Sequence, residues 1–185
     1  KKRLLLPWEW NRAGEESRQL LREAGFAEKI RQGEYAELVA RELAKAAVLY
    51  REALEAAPHP VQVAYARLSL ARALAKLGQQ GEAQAHYQKI LALPREVTDE
   101  HGVPFWLYAA ARLLEEGVQE QTVLNRIRAQ MEALRWLPPS EVYLLQASAS
   151  TLEVSAGETA VRGAAKDLRE KIAAHLRWLE QALAL

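Results

Sequence analysis

The most regular alternation of apolar and polar positions runs from Ala64 to Pro94. Leu68, Leu70, Ala71, Leu74 and Leu77 recur at helical spacing, which predicts a first helix with one apolar stripe up to Gly78. Glycine accepts the left-handed backbone that closes a helix, and Gln79-Gln80-Gly81 allow a tight turn. Glu82 suits the positive end of a second helix, which carries Ala83, Tyr87, Ile90, Leu91 and Leu93. That helix must stop before Pro94, which lacks an N–H. Ala71 and Ala83 let the two backbones approach, while Tyr87 and Leu91 fill the space around them.

The pattern recurs. Ala46, Tyr50, Ala53 and Leu54 stand 37 positions ahead of Ala83, Tyr87, Ile90 and Leu91, and Pro58 precedes Pro94 at nearly the same interval. Gly33-Glu34-Tyr35 is predicted to repeat the turn at Gly78. The helix between Tyr35 and Tyr50 is then about two turns longer than in the best copy, so the first hairpin is expected to be irregular. Before it, Asn11 is a candidate N-cap, and Ser17, Leu20, Leu21, Ala24 and Ala27 predict a helix as far as Ile30 with Gly25 as a candidate break. A third, degenerate copy begins at Pro104. Trp106, Ala109, Ala110, Leu113 and Gly117 follow the first-helix pattern, Val123, Ile127, Met131 and Leu134 the second, and Arg126 replaces the tyrosine. Trp136-Leu137-Pro138-Pro139 break the chain. Ser140-Glu141 open a helix bearing Val142, Leu145, Ala149 and Leu152 that ends at Gly157. Val161, Ala165, Leu168, Ile172, Leu176, Leu179 and Leu183 then form a nearly heptad seam on one long helix, read as a cap on the stack or as a signalling helix leading onward.

Leu70-Ala71, Leu74, Leu77-Gly78, Ala83, Tyr87, Leu91 and a Pro94 that comes one residue early resemble the tetratricopeptide repeat. The resemblance implies an all-α fold, a right-handed superhelix of antiparallel helical hairpins (an α-solenoid) with a long C-terminal helix. The expected organisation is a single helical-repeat domain over 1–185: an N-terminal arm (1–11), an irregular hairpin (12–58), the best repeat (60–94), a degenerate repeat (103–135) and C-terminal capping helices (139–185). It also implies a concave face lined by Tyr65, Leu68, Ser69, Arg72 and Lys76 in one copy and Leu107, Tyr108, Ala111 and Glu115 in the next. On it Tyr65, Ser69, Arg72, Lys76, Tyr108 and Glu115 are the candidate partner- or ligand-binding residues. Ser69 and Ala111 stand where members that grip a C-terminal carboxylate carry asparagine, which argues against that use.

Composition narrows the partners. A net charge of +1 over 185 residues gives no field for a polyanion, so nucleic acid is not expected. The absence of cysteine removes disulfides, thiol catalysis and cysteine metal sites. No run of about 18 apolar residues predicts a membrane span. Lys1-Lys2-Arg3 and Leu4 to Trp10 read as an arm whose tryptophans plug an open end of the stack, or as a membrane-proximal segment. The start at Lys1 and the helical pattern running to Leu185 lead us to expect a piece of a longer protein.

Catalytic chemistry finds little support. The four histidines, His59, His86, His101 and His175, lie in separate segments, and no metal or other cofactor is expected. Asp99-Glu100-His101 is the one local acid–base cluster and reads as a solvated loop. Glu15-Glu16 and Glu115-Glu116 are adjacent on helices and diverge by about 100°, so neither pair flanks one atom. Gly78-Gln79-Gln80-Gly81 lacks the Lys-Ser/Thr of a phosphate loop. We expect no enzyme activity from these residues.

Pro7-Trp8-Glu9-Trp10-Asn11, the runs Ala46 to Ala53 and Leu70 to Gly78, and Arg135-Trp136-Leu137-Pro138 are together similar to the region ahead of the kinase core in some bacterial membrane sensor histidine kinases. That resemblance implies an extracytoplasmic sensing module in a two-component system. A protein, peptide or small ligand in the groove would shift the helical stack, and the last helix would pass the change on, with the membrane met only through flanking segments and a homodimer compatible. The alternative is a cytoplasmic tetratricopeptide adaptor that mediates protein–protein interaction.

Overall fold

The computed structural model describes residues 12–132 and 137–183. Their regular secondary structure is helical, with turns and loops between the helices and one isolated antiparallel bridge between Thr98 and Pro104. The expected N-cap Asn11, the N-terminal tryptophans, Leu134 and Trp136 lie outside the described residues. Where the sequence leads us to expect one domain, the contacts gather into two compact units, 12–109 and 110–183, described separately below.

The first unit holds α1 (Arg12–Leu21), α2 (Ala24–Glu34), a π-helical turn (Tyr35–Val39), α3 (Leu43–Ala56), α4 (Pro60–Lys76), α5 (Gln80–Leu91) and the start of α6 (Phe105–Glu115). Its core follows the predicted stripes. Ala46, Tyr50, Ala53, Leu70, Ala71, Leu74, Ala83, Tyr87, Ile90 and Leu91 are all buried, and α2 packs on α3, α3 on α4 and α4 on α5. The central turn forms where expected. Gly78 sits at φ 79°, its N–H bonds the Ala75 carbonyl at 3.0 Å, and the Gln79 N–H bonds that of Leu74 at 3.0 Å. The paired bonds satisfy carbonyls that the helix end leaves without partners. Leu77, predicted inside the stripe, is 38% exposed at this cap.

The first hairpin departs from expectation at three places. The early helix breaks at Arg22-Glu23, ahead of Gly25, and buried Gln62 of α4 secures the break by donating to the Leu20 carbonyl and the Glu23 carboxylate, each at 2.8 Å. Gly33 makes no turn. It lies within α2, and an added Cβ there would come within 2.6 Å of the Tyr50 ring, so glycine serves the close approach of that ring. The reversal comes later, after the π-turn, with Arg41 at φ 58° and the Glu42 N–H bonding the Ala36 carbonyl at 2.8 Å. The long helix predicted between Tyr35 and Tyr50 is therefore interrupted.

The loop after Pro94, expected to be solvated around Asp99-Glu100-His101, exposes Arg95, Glu96 and His101 but not Asp99. Val97, Thr98 and Asp99 are buried, and the Asp99 carboxylate accepts from the N–H groups of His101 (2.8 Å) and Val103 (2.9 Å) and from the Tyr108 hydroxyl (2.7 Å). Three donors offset the desolvation of the charge.

The second unit contains α7 (Glu120–Met131), α8 (Pro139–Ser155) and α9 (Thr159–Leu183), each packed on the other two. Gly117 at φ 68° repeats the cap of Gly78, with Gly117 N–H to Leu114 and Val118 N–H to Leu113. Val142, Leu145, Ala149 and Leu152 of α8 are buried, and so is the α9 seam from Val161 to Leu179. The near-heptad pattern is thus spent on packing within the unit.

Candidate functional site

In the first unit, two cations converge on Glu37, whose side chain is fully buried in the π-turn. Arg72 donates from Nε to Oε1 at 2.8 Å and from Nη2 to Oε2 at 2.7 Å, Lys76 Nζ donates to Oε1 at 2.7 Å, and the Tyr50 hydroxyl to Oε2 at 2.8 Å. Burial alone would raise the Glu37 carboxyl. The hydrogen bonds from Arg72, Lys76 and Tyr50 outweigh it and hold the group at about 2. Burial and then Glu37 push the Tyr50 phenol up. Two further tyrosines follow the same rule: Tyr65 donates to Glu34 at 2.9 Å and Tyr108 to Asp99 at 2.7 Å, and burial raises both phenols, reinforced by those carboxylates.

Beside Tyr65 a cleft of about 320 Å³ opens among α1, α2, α4 and the 95–104 loop. Leu21, Phe26 and Ile30 supply its apolar lining, and Arg18, Arg22, Arg31, Glu34, Glu100 and His101 its polar one. Several contacts fix the walls. Ser17 Oγ lies 3.3 Å from Thr98 Oγ1, Arg18 Nη2 donates to the Glu100 carbonyl at 3.2 Å, and the Tyr65 ring meets Phe105 edge-on with centroids 6.3 Å apart.

No family model, curated protein or solved structure matches this chain. What the site does must therefore be argued from its residues.

Of the candidate binding residues, Tyr65, Arg72 and Lys76 lie along α4 and reach the α2 segment and its π-turn through Glu34 and Glu37. Arg72 and Lys76 remain 37% and 44% exposed, so each presents a second side to solvent. Ser69 does not: it is buried, being the short side chain in a row of long ones. Leu107 of the same predicted face is fully buried as well. Tyr108 is half-buried on Asp99, and Glu115, in the other unit, is exposed and paired with Arg112 at 2.7 Å. The sequence reading missed Glu34, Glu37 and the arginines of α1 and α2. One signal was present: Arg72 and Lys76, four apart on a helix face, place two cations together and call for a counter-charge.

Tyr35, Leu38 and Val39 of the π-turn stand 60–65% exposed, and Val48 of α3 is 49% exposed. Ala36 and Glu37 turn inward between them, so this turn exposes Tyr35, Leu38 and Val39. Among the described residues no group of three or more histidines and carboxylates is placed to hold a metal, and no helix is long and apolar enough to cross a membrane.

Proposed function

We propose that this chain is a non-catalytic, tetratricopeptide-like sensing module, a right-handed superhelix of helical hairpins that serves as the extracytoplasmic sensor of a bacterial membrane histidine kinase in a two-component system. The observation that carries the binding part of this reading is the cleft at Tyr65, a concave site with an apolar lining and a polar rim. Support also comes from how the charges are used. Glu37, Glu34 and Asp99 are each engaged by tyrosine, and Glu37 by two cations besides, which leaves these groups to hold structure. The signal leaves through α9, whose 25 residues make the longest helix described. The exposed row Tyr35, Leu38 and Val39 favours a second reading, a cytoplasmic adaptor that holds a protein partner against this turn.

The deciding experiment reads the parent gene on both sides of the sequence. The sensor reading expects apolar runs of about 20 residues before and after it, then a histidine-bearing dimerisation helix and an ATP-binding domain. Flanks without apolar runs or kinase segments overturn it in favour of the adaptor.

A further inference from the structure

We infer that Arg67 of α4 and His86 and Lys89 of α5 form a second binding site, one that takes a phosphoryl dianion. The hairpin brings them together. Arg67 and Lys89 stand equally far before and after Gly78, so the antiparallel helices hold the two cations at one level. His86 lies three residues before Lys89, on the same face of α5. Arg67 is two residues on from Tyr65 and so about 200° round α4, on the side turned away from the Tyr65 cleft. The site therefore stands whether the chain is a sensor or an adaptor.

The surrounding carboxylates leave a positive charge here. Arg51 of α3 is held by Glu82 at 3.2 Å, and its neighbour Glu52 by Lys29 at 3.6 Å. Arg67 and Lys89 have no hydrogen bond or ion pair among the described residues, and burial lowers the Arg67 guanidinium with no carboxylate to offset it. Glu55, one turn past Arg51, forms no ion pair either, and counting it still leaves the group positive. Burial and then Lys89, Arg67 and Arg51 push the His86 imidazole down against the pull of Glu82, so these charges all reach one ring.

The free donors define the ligand. Arg67 Nε and His86 Nδ1 are buried without partners, whereas the terminal guanidinium nitrogens, His86 Nε2 and the exposed Lys89 ammonium are open. A half-buried guanidinium without an acceptor is costly, and an anion relieves it. A flat carboxylate is satisfied by Arg67 alone, but the tetrahedral oxygens of a phosphoryl group accept from all three side chains. Its two negative charges also favour a proton on His86, which adds a third positive donor. Inorganic phosphate and a small phosphate monoester share this chemistry.

The test titrates the whole chain at low salt with inorganic phosphate, phenyl phosphate and benzoate, followed by the ring signals of His86 in NMR and by calorimetry. The expected result is a His86 titration carried upward by either phosphate, with both binding about 10-fold more tightly than benzoate. Inorganic phosphate binding at least as tightly as its ester assigns the phosphoryl group alone, and a preference for phenyl phosphate assigns a monoester; either upholds the site. Arg67→Gln and Lys89→Gln should each weaken phosphate binding about 10-fold. Arg128→Gln, which removes an exposed charge on α7, should leave it unchanged. Glu82→Gln should tighten it several-fold by freeing Arg51, a gain that no loss of folding produces. A His86 titration unmoved by phosphate, equal affinity for benzoate, the same loss from Arg128→Gln as from Arg67→Gln, or weaker binding in Glu82→Gln would overturn the assignment.

Discussion

Arg72 meets the Glu37 carboxylate side-on, with Nε and Nη2 each donating to a different oxygen at 2.8 and 2.7 Å. The acid is fully buried and the guanidinium 37% exposed, so the pair joins the interior of the π-turn to the outer edge of α4. Its contribution depends on that asymmetry. Buried charges are costly to strand, while the exposed end is screened by water.

Arg72→Met removes both bonds and leaves Glu37 to Lys76 and Tyr50. We expect a loss of about 2 kcal/mol at neutral pH, below the value for a fully buried pair because solvent can reach the vacated side. In a Glu37→Gln background the same substitution should cost less than half as much. Urea denaturation of the four proteins of the cycle measures the difference, and strictly additive values would show that the two groups are not coupled.

The same carboxyl sets an acid response. Its ordinary value is 4.5 and its folded value about 2, so its contribution is complete above the unfolded value and is lost as pH falls from about 4.5 towards 2. Over that window the wild-type chain should lose up to about 3 kcal/mol that Glu37→Gln does not. Denaturation midpoints of the two proteins should therefore differ at pH 7, keep that difference down to about pH 5, and converge by about pH 2. A constant gap throughout would mean that Glu37 is not held ionised.

Gly33 and Tyr50 form a tighter relationship, because an added Cβ would lie 2.6 Å from one ring carbon and 2.8 Å from the next. The ring cannot retreat freely, since its hydroxyl is bound to Glu37. Gly33→Ala should destabilise by about 1–3 kcal/mol despite alanine's better helix propensity. Pairing it with Tyr50→Leu should recover part of the loss in thermal melts, and no recovery would place the strain elsewhere.

These positions also mark where the sequence was legible. The α4–α5 hairpin was read from its apolar spacing because each stripe residue is local to its own helix and Gly78 sits at the one left-handed position between them. The recurrence of Tyr87 as Tyr50 was legible for the same reason, and both are buried. The π-turn was not. Tyr35-Ala36-Glu37-Leu38-Val39 reads as a helix with its glutamate in solvent, and only Arg72 and Lys76, more than thirty positions later, reverse that reading by supplying the charges that let Glu37 turn inward. Asp99 was read as part of a solvated loop, and its burial was not legible because one of its donors, Tyr108, lies nine positions on in another element. Tyr65, Arg72 and Lys76 were named because the tetratricopeptide resemblance implies a face that carries them, whereas the cleft arginines lie on α1, α2 and the junction between them, where no pattern linked them to α4.

Gly78 and Gly81, predicted to share one turn, should respond in opposite directions. Gly78 lies at φ 79° with nothing within 4 Å of an added Cβ, so any cost of Gly78→Val comes from the backbone alone. A β-branched residue in the left-handed region should lower stability by about 1–2 kcal/mol, and Gly78→Asn by less, because its short polar side chain tolerates that region. Gly81, expected in the turn, lies inside α5 and also has open space around an added Cβ. Gly81→Ala should therefore raise stability by about 0.5–1 kcal/mol by restricting the unfolded chain and favouring the helix. Chemical denaturation of the three variants decides the matter: a stabilised Gly78→Val or a destabilised Gly81→Ala would mean that the helix boundary lies on the other side of the turn.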